Sequence, residues 1–288
     1  MFTALCVSMK LRYETNSLIL CSRFWAGTSY IENEISDVMK GFLKQTFACF
    51  SVVVSLCMMS ACGGRSEAPK SVLLLPSDTV VRVAVPDTPM EASLREMGLV
   101  DVQDLDSTIR VHLVYATARN FTGQVLYADL HKAFLLPEMA EKVVAAQKSL
   151  HLSHPDWNLL VLDAARPLSV QRKMFKVVAR TPNSIYVSNP QHGPGLHNYG
   201  AAVDVTLVDS LGEMLPMGTG FDHFGPEAHI DKEQSLLAQG KITRQELNNR
   251  QLLRGLMKEQ GLLPLYSEWW HFNLMSRSEA RHKLKVIE

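Results

Sequence analysis

Two short stretches of this sequence hold the residue types from which a metal-dependent hydrolase is built. The first is His197-Asn198-Tyr199-Gly200-Ala201-Ala202-Val203-Asp204: a His in a loop, a Gly that permits a turn, and an Asp on the strand that follows. Asp204 is embedded in an apolar strand, where a bare carboxylate is costly. A metal cation would remove that cost, and so would an Arg partner or the cap of a turn. This stretch by itself leaves those readings open. The second stretch, Glu268-Trp269-Trp270-His271-Phe272, again sets ionisable groups inside an aromatic strand. His197, Asp204 and His271 make a three-ligand set that leaves a fourth position on zinc for water. Water on zinc is acidic enough to supply hydroxide near neutral pH. A base must take its proton, and Glu268 is the candidate; the alternative is a solvated residue at a strand end.

Strand geometry sets a condition on that assignment. Residues three apart on a regular strand point to opposite faces. Glu268 and His271 can share one site only if Glu268 lies in a turn or bulge leading into the strand. Arg166 is a third element, just past the end of the apolar run Asn158–Asp163. A fixed cation there would stabilise the oxyanion formed when a peptide carbonyl is attacked. From spacing alone, a surface Arg held by a carboxylate is the favoured reading. There is no His-Glu-x-x-His, Gly-x-Ser-x-Gly, phosphate loop or dinucleotide fingerprint. Among the other histidines, His192 stands out because it shares the loop of His197, and the rest read as surface or packing residues.

Several elements must position these groups. Ile109–Tyr115 alternates as a strand, and Asn120–Gly123 reads as a turn. Pro137–Leu150 has helical spacing with Pro in its first turn. Asn158–Asp163 is a continuous apolar strand, and Leu168–Arg180 returns to helical period. Thr181–Gly200, rich in Pro, Gly, Asn and Ser, is loop. On the strand Ala201–Val208, Ala202, Asp204 and Thr206 face one way and Val203, Val205 and Leu207 the other. Thr243–Gln260 is a helix with the capping box Thr243-x-x-Glu246 and Gly261 at its end. Trp269–Leu274 is the last strand. Strands and helices do not alternate regularly, so the expected class is α+β rather than a parallel α/β sheet.

The chain has 288 residues and a formal net charge of zero. The neutral balance gives no reason to propose nucleic acid as a partner, and there is no internal repeat. All five cysteines fall within the first 62 residues, so the rest of the chain cannot form a disulfide. Lys40 and Lys44, an apolar run from Thr46 to Ala61, and Met59-Ser60-Ala61-Cys62 read as a leader ending at a lipidated Cys. A transmembrane anchor is the alternative, for which the run is short. The expected organisation is an upstream extension (1–38) before a start at Met39, a lipoprotein signal (39–61), a tether (62–100) and one catalytic domain (101–288). The implied location is the cell envelope: membrane-anchored through Cys62, periplasmic, at the outer membrane.

Taken together, His197, Gly200, Ala202 and Asp204 followed by Glu268 and His271 resemble the zinc D-alanyl-D-alanine metallopeptidases that share a fold with the Hedgehog signalling domain. The closer likeness is to the D-Ala-D-Ala dipeptidases of the VanX type. Tyr115–Gly123, Ala165-Arg166-Pro167, Pro216–Asp222 and Tyr266–His271 resemble segments of that family, so the likeness spans about 105 to 275. It implies a small, mainly antiparallel sheet flanked by helices. It implies one zinc per chain on His197, Asp204 and His271, with Glu268 as base and then proton donor to the leaving amine. It assigns Arg166 to transition-state stabilisation. The implied substrate is a small D,D-dipeptide in cell-wall turnover; the alternative is a D,D- or L,D-carboxypeptidase acting on longer peptidoglycan stems. The sequence departs from the family twice. The family usually has Ser two residues before the first zinc His, where this chain has Gly195. It usually has an aromatic residue before the Arg, where this chain has Ala165.

Overall fold

A computed structural model describes residues 85–288. The upstream extension, the leader and most of the tether therefore lie outside the described residues. Folded structure is present upstream of the expected boundary at Asp101. The residues expected to end the tether instead form a helix, α1 (Pro89–Glu96). Thr88 and Glu91 close a capping box at its start, and Leu94 is buried. The buried Glu91 also accepts the backbone N–H groups of His131 (2.8 Å) and Lys132 (3.2 Å), which ties the helix to the domain. Composition marks a tether by its prolines, but Pro89 opens a helix here because the first turn needs no N–H from it.

A two-stranded antiparallel pair follows, β1 (Val100–Asp101) with β3 (Phe134–Leu135), and the short helix α2 (Val102–Leu105) leads out of β1. The central sheet has five strands in the order β2-β4-β5-β7-β6. They are β2 (Arg110–Val111), β4 (Asn158–Asp163), β5 (Ala202–Val208), β6 (Leu263–Leu265) and β7 (Glu268–Asn273). Only β2 runs parallel to its neighbour; the other pairings are antiparallel. The class is α+β, as expected.

The strand expected over Ile109–Tyr115 is shorter than its pattern. Only two residues pair with β4, and Val114–Ala116 tightens into a 3-10 turn. The carbonyl of Tyr115 turns away from the sheet to accept the N–H groups of Leu126 and Tyr127.

Helices α3 (Pro137–Ser153) and α6 (Arg244–Glu259) pack together over one face of the sheet. Val203, Val205 and Leu207 of β5 meet Met139 and Val143 of α3 and Leu253 and Met257 of α6 in the main core. The alternation of a strand then forces Ala202, Asp204 and Thr206 to the opposite face. Two further helices frame that side, α4 (Leu168–Val178) and α7 (Arg277–Lys283), while α5 (Glu233–Ala238) packs against α6, with Glu233 paired to Arg254. Ala280 of α7 joins Ala202, Leu196 and Tyr199 in a small satellite core. No helix among the described residues is long and apolar enough to cross a membrane.

Candidate metal centre and its pocket

Asp204 and His271 are cross-strand partners between β5 and β7, so the ladder itself sets them side by side. His271 Nδ1 lies 2.9 Å from Asp204 Oδ1. His197 arrives from the 3-10 turn Leu196–Tyr199 that leads into β5. Gly200 ends that turn at φ +68°, and a Cβ there would fall 2.6 Å from Leu99 Cδ2. Glycine is thus required twice, for the backbone conformation and for the close approach. The turn brings His197 Nε2 to 3.2 Å from His271 Nδ1 and 3.4 Å from Asp204 Oδ2.

The other nitrogen of each ring is already used. His197 Nδ1–H donates to the Ala164 carbonyl (2.8 Å), and His271 Nε2–H donates to Asn273 Oδ1 (2.8 Å). Two lone pairs and a carboxylate therefore converge on one point, all three residues being buried. Their separations of 2.9–3.4 Å resemble the ~3.4 Å between donors on a tetrahedral zinc. Without a cation a proton must take its place. Burial disfavours charge on His271, but the hydrogen bond and charge of Asp204, with help from Glu268, lift its pKa to about 9. Burial would raise Asp204, yet the two imidazoles hold it well below the usual carboxylate range. The donor set fits a divalent cation with imidazole and carboxylate ligands.

Glu268 opens β7, and the pairing of β6 with β7 slips between Pro264 and Leu265. This is the irregular start that strand geometry demanded. It lets Glu268 and His271 face the same side, with Glu268 Oε2 3.9 Å from His271 Nδ1. Burial raises the Glu268 pKa, partly offset by His271, so the group is a better proton acceptor than a free Glu.

Arg166 sits past the end of β4, and its own residue triplet holds it. Nε donates to Asp163 Oδ2 (2.9 Å), and Nη1 donates to Gln171 Oε1 (2.7 Å). Tyr127 donates to the other Asp163 oxygen (2.7 Å), and the guanidinium lies over the Tyr115 ring, 5.2 Å from its centroid. Arg166 is held by a carboxylate, as spacing favoured, but it is not the surface residue that reading described. The Arg is ion-paired, and it is also buried beside the site with Nη2 4.0 Å from Asp204 Oδ2.

A cavity of about 560 Å³ opens over these groups. Asp222 lines it, at φ +59°, accepting the Tyr115 hydroxyl at 2.9 and 3.0 Å. It has no cation partner among the described residues. Burial and the nearby charges of Asp204 and Glu268 push its pKa up to about 8, against the Tyr115 hydrogen bond and the charge of Arg166. Beyond it runs an aromatic series. Tyr115 meets Phe121 edge-on, Phe121 meets Phe224, and Phe224 stacks flat on Tyr186 with centroids 5.6 Å apart. The loops around 186 and 224 thereby touch across the pocket.

The profile of a family described as "D-ala-D-ala dipeptidase" matches residues 95–287. The chain belongs to this family of metallopeptidases. It is 32% identical over 181 residues to a D-alanyl-D-alanine dipeptidase of Escherichia coli (strain K12), covering 61% of this chain and 84% of the relative. It is 26% identical over 195 residues to one of Enterococcus faecium, covering 62% and 92%. A third, from Synechocystis, is 33% identical over 148 residues, covering 41% and 60%.

Within this family member, His197, Asp204, His271, Glu268 and Arg166 all come together in one pocket. His192 does not. It is exposed on the far side of the loop, where its carbonyl accepts Arg281, so sharing a loop with His197 carried no meaning. Sequence reasoning overlooked Asp163, Gln171 and Asp222. Asp163 read as the polar end of a strand. Asp222 stood inside a matched segment without a role, and only its burial near the site gives it one.

Proposed function

We propose that this chain hydrolyses the free D-alanyl-D-alanine dipeptide to D-alanine, with zinc held by His197, Asp204 and His271. Zinc in that set would polarise the scissile carbonyl and acidify a water. Glu268 takes the proton of the attacking water and hands it to the leaving amine. Arg166, locked by Asp163 and Gln171, presents its remaining guanidinium edge to the negative charge that develops on the carbonyl oxygen. Asp222 and the Tyr115 hydroxyl hold the substrate's free ammonium.

The observation that carries the dipeptide over a longer peptide is Asp222. It is a half-buried carboxyl in the pocket with no cation partner among the described residues, and its pKa is pushed up to about 8. A dipeptide's ammonium would stabilise its ionised form. A stem peptide's neutral amide offers no such partner. The Phe121–Phe224–Tyr186 series supports the same reading, because it walls one side of the pocket with packed rings.

The activity belongs to cell-wall peptide turnover in the cell envelope on this reading. The basic start, apolar run and Cys62 support a lipid-anchored periplasmic enzyme, and labelling with a radioactive fatty acid, lost on Cys62→Ser, tests that part. The catalytic part is tested by assaying D-Ala-D-Ala beside a pentapeptide stem, with and without a chelator. Chelator-sensitive release of D-alanine from the dipeptide is expected. Trimming of the stem with the dipeptide left intact would replace this reading by the carboxypeptidase.

A further inference from the structure

A dipeptide has a second charged end, and the pocket holds a group suited to it that the family pattern does not predict. The position where the family usually has Ser is Gly195. Its backbone is extended (φ −80°, ψ 173°), which any residue adopts, so no backbone strain calls for glycine. A Cβ at 195 would stand in ordinary van der Waals contact with Ser188, 3.4 Å from its Oγ and 3.7 Å from its Cβ. Ser188, from an earlier part of the same loop, thus sets its hydroxyl directly beside the place a side chain at 195 would occupy.

Ser188 is held from the catalytic side. Gln171 Nε2 donates to the Ser188 carbonyl (2.8 Å), and Gln171 Oε1 accepts Arg166 Nη1 (2.7 Å). On its other side stands Arg277, the first residue of α7. Its Nη2 donates to the carbonyls of Gly193 (2.9 Å) and Pro194 (3.0 Å) and lies 3.5 Å from Ser188 Oγ, while Nε reaches Pro194 O at 3.3 Å. Among the described residues, Nη1 has no protein partner and the guanidinium pairs with no carboxylate. Ser188, Gly195 and Arg277 line the cavity together with His197 and His271. Arg166 is ion-paired with Asp163 and is already assigned to the scissile carbonyl oxygen. Arg277 is the cation in this lining left without a counter-ion.

We infer that Ser188 and Arg277 form the subsite for the substrate's C-terminal carboxylate, with the hydroxyl supplied from residue 188 in place of residue 195. This rests on the dipeptide reading. The Ser188 hydroxyl and the free Nη1–H edge of Arg277 donate to the two carboxylate oxygens. Asp222 and Arg277 then act as a charge-matched pair for the two ends of the dipeptide.

The test is steady-state kinetics of zinc-loaded enzyme on D-Ala-D-Ala and on its C-terminal amide. Wild type should prefer the acid. Arg277→Gln should raise KM for the acid roughly 10- to 100-fold with a much smaller change in kcat, and should affect the amide far less, removing the preference. Ser188→Ala should weaken it in the same direction, and Gly195→Ser added to Ser188→Ala should restore it. Arg277 also braces the 193–194 carbonyls, so a general loosening of the loop would lower acid and amide alike; the Ser188→Ala and Gly195→Ser pair, which leaves that brace intact, then decides. Equal effects on acid and amide in that pair, or no preference in wild type, overturn the subsite. A wild type that leaves the dipeptide uncut overturns the dipeptide reading itself, which separates the two failures.

Discussion

Arg166 turns back onto the strand that delivers it and ion-pairs with Asp163, three residues earlier, with Nε and Nη2 both directed at Oδ2. Burial works against a charged guanidinium, and the Asp163 carboxylate keeps Arg166 firmly protonated. The pair does not stand alone, since Tyr127 donates to the other Asp163 oxygen and Gln171 accepts from Arg166 Nη1. Asp163→Asn should therefore leave an uncompensated buried cation and cost about 3–5 kcal/mol of stability. Urea denaturation measures it. Arg166→Lys cannot donate to Asp163 and Gln171 in one plane and should lower kcat by about 100-fold or more, with KM changed little.

Metal binding should be read in stability as well as in activity. The convergent lone pairs exist only in the folded chain, so zinc at a thousandfold excess over its Kd should add about 4 kcal/mol. His271→Ala should abolish that increment in thermal denaturation. The His271 pKa of about 9 means that the zinc-free site carries a proton at pH 7.5. Zinc uptake should release about one proton there, seen as a buffer-dependent heat in calorimetry. A heat independent of the buffer would contradict the protonated site.

Asp222 gives a pH dependence with a definite sign. Its folded pKa of about 8 lies above the ordinary 3.8. Between those two pH values the folded state binds more protons than the unfolded one. Stability from this group is therefore present at low pH and is lost as pH rises through about 8. Asp222→Asn should raise the Tm of zinc-free protein at pH 8.5 and change it little at pH 4. The same variant should reduce kcat/KM on the dipeptide by roughly 100-fold through loss of the ammonium partner. An unchanged kcat/KM would remove Asp222 from substrate binding.

The Phe224–Tyr186 stack should govern peptide length. Phe224→Ala and Tyr186→Ala open that side of the cavity. Both should gain measurable cleavage of a tripeptide relative to the dipeptide, read as a ratio of kcat/KM values. No gain in either variant would mean that the stack does not limit length.

Gly200→Ala is a test of the local design. The φ of +68° costs an L-residue roughly 1–2 kcal/mol, and the contact with Leu99 adds to it. A loss of at least ~1 kcal/mol with weakened zinc affinity is expected, because the turn that carries His197 must shift.

Much of this site was legible before any coordinates. Strand alternation put Asp204 opposite Val203 and Val205, and burying the latter two against α3 and α6 left Asp204 one direction to face. The capping box at Thr243 and the Pro at the head of α3 marked helices that exist as read. The need for an irregular start at Glu268 was likewise a consequence of spacing, and the slip between β6 and β7 meets it. Local sequence was misleading where short-range pattern competes with a distant partner. Ile109–Tyr115 alternates, yet most of it leaves the ladder because the Tyr115 carbonyl is claimed by residues 126 and 127.

By itself, then, the sequence determined which residue types could bind a metal and move a proton, and which face of each strand they occupy, because periodicity is a local property of the chain. Only the tertiary structure decided which charges are already neutralised and which are left over. Arg166 is ion-paired with Asp163, while Asp222 and Arg277 line the pocket without a counter-ion among the described residues. That distinction depends on neighbours brought together across 107 residues between Tyr115 and Asp222, and across 89 between Ser188 and Arg277. Burial and charge pairing are sums over such neighbours, and no local spacing records them.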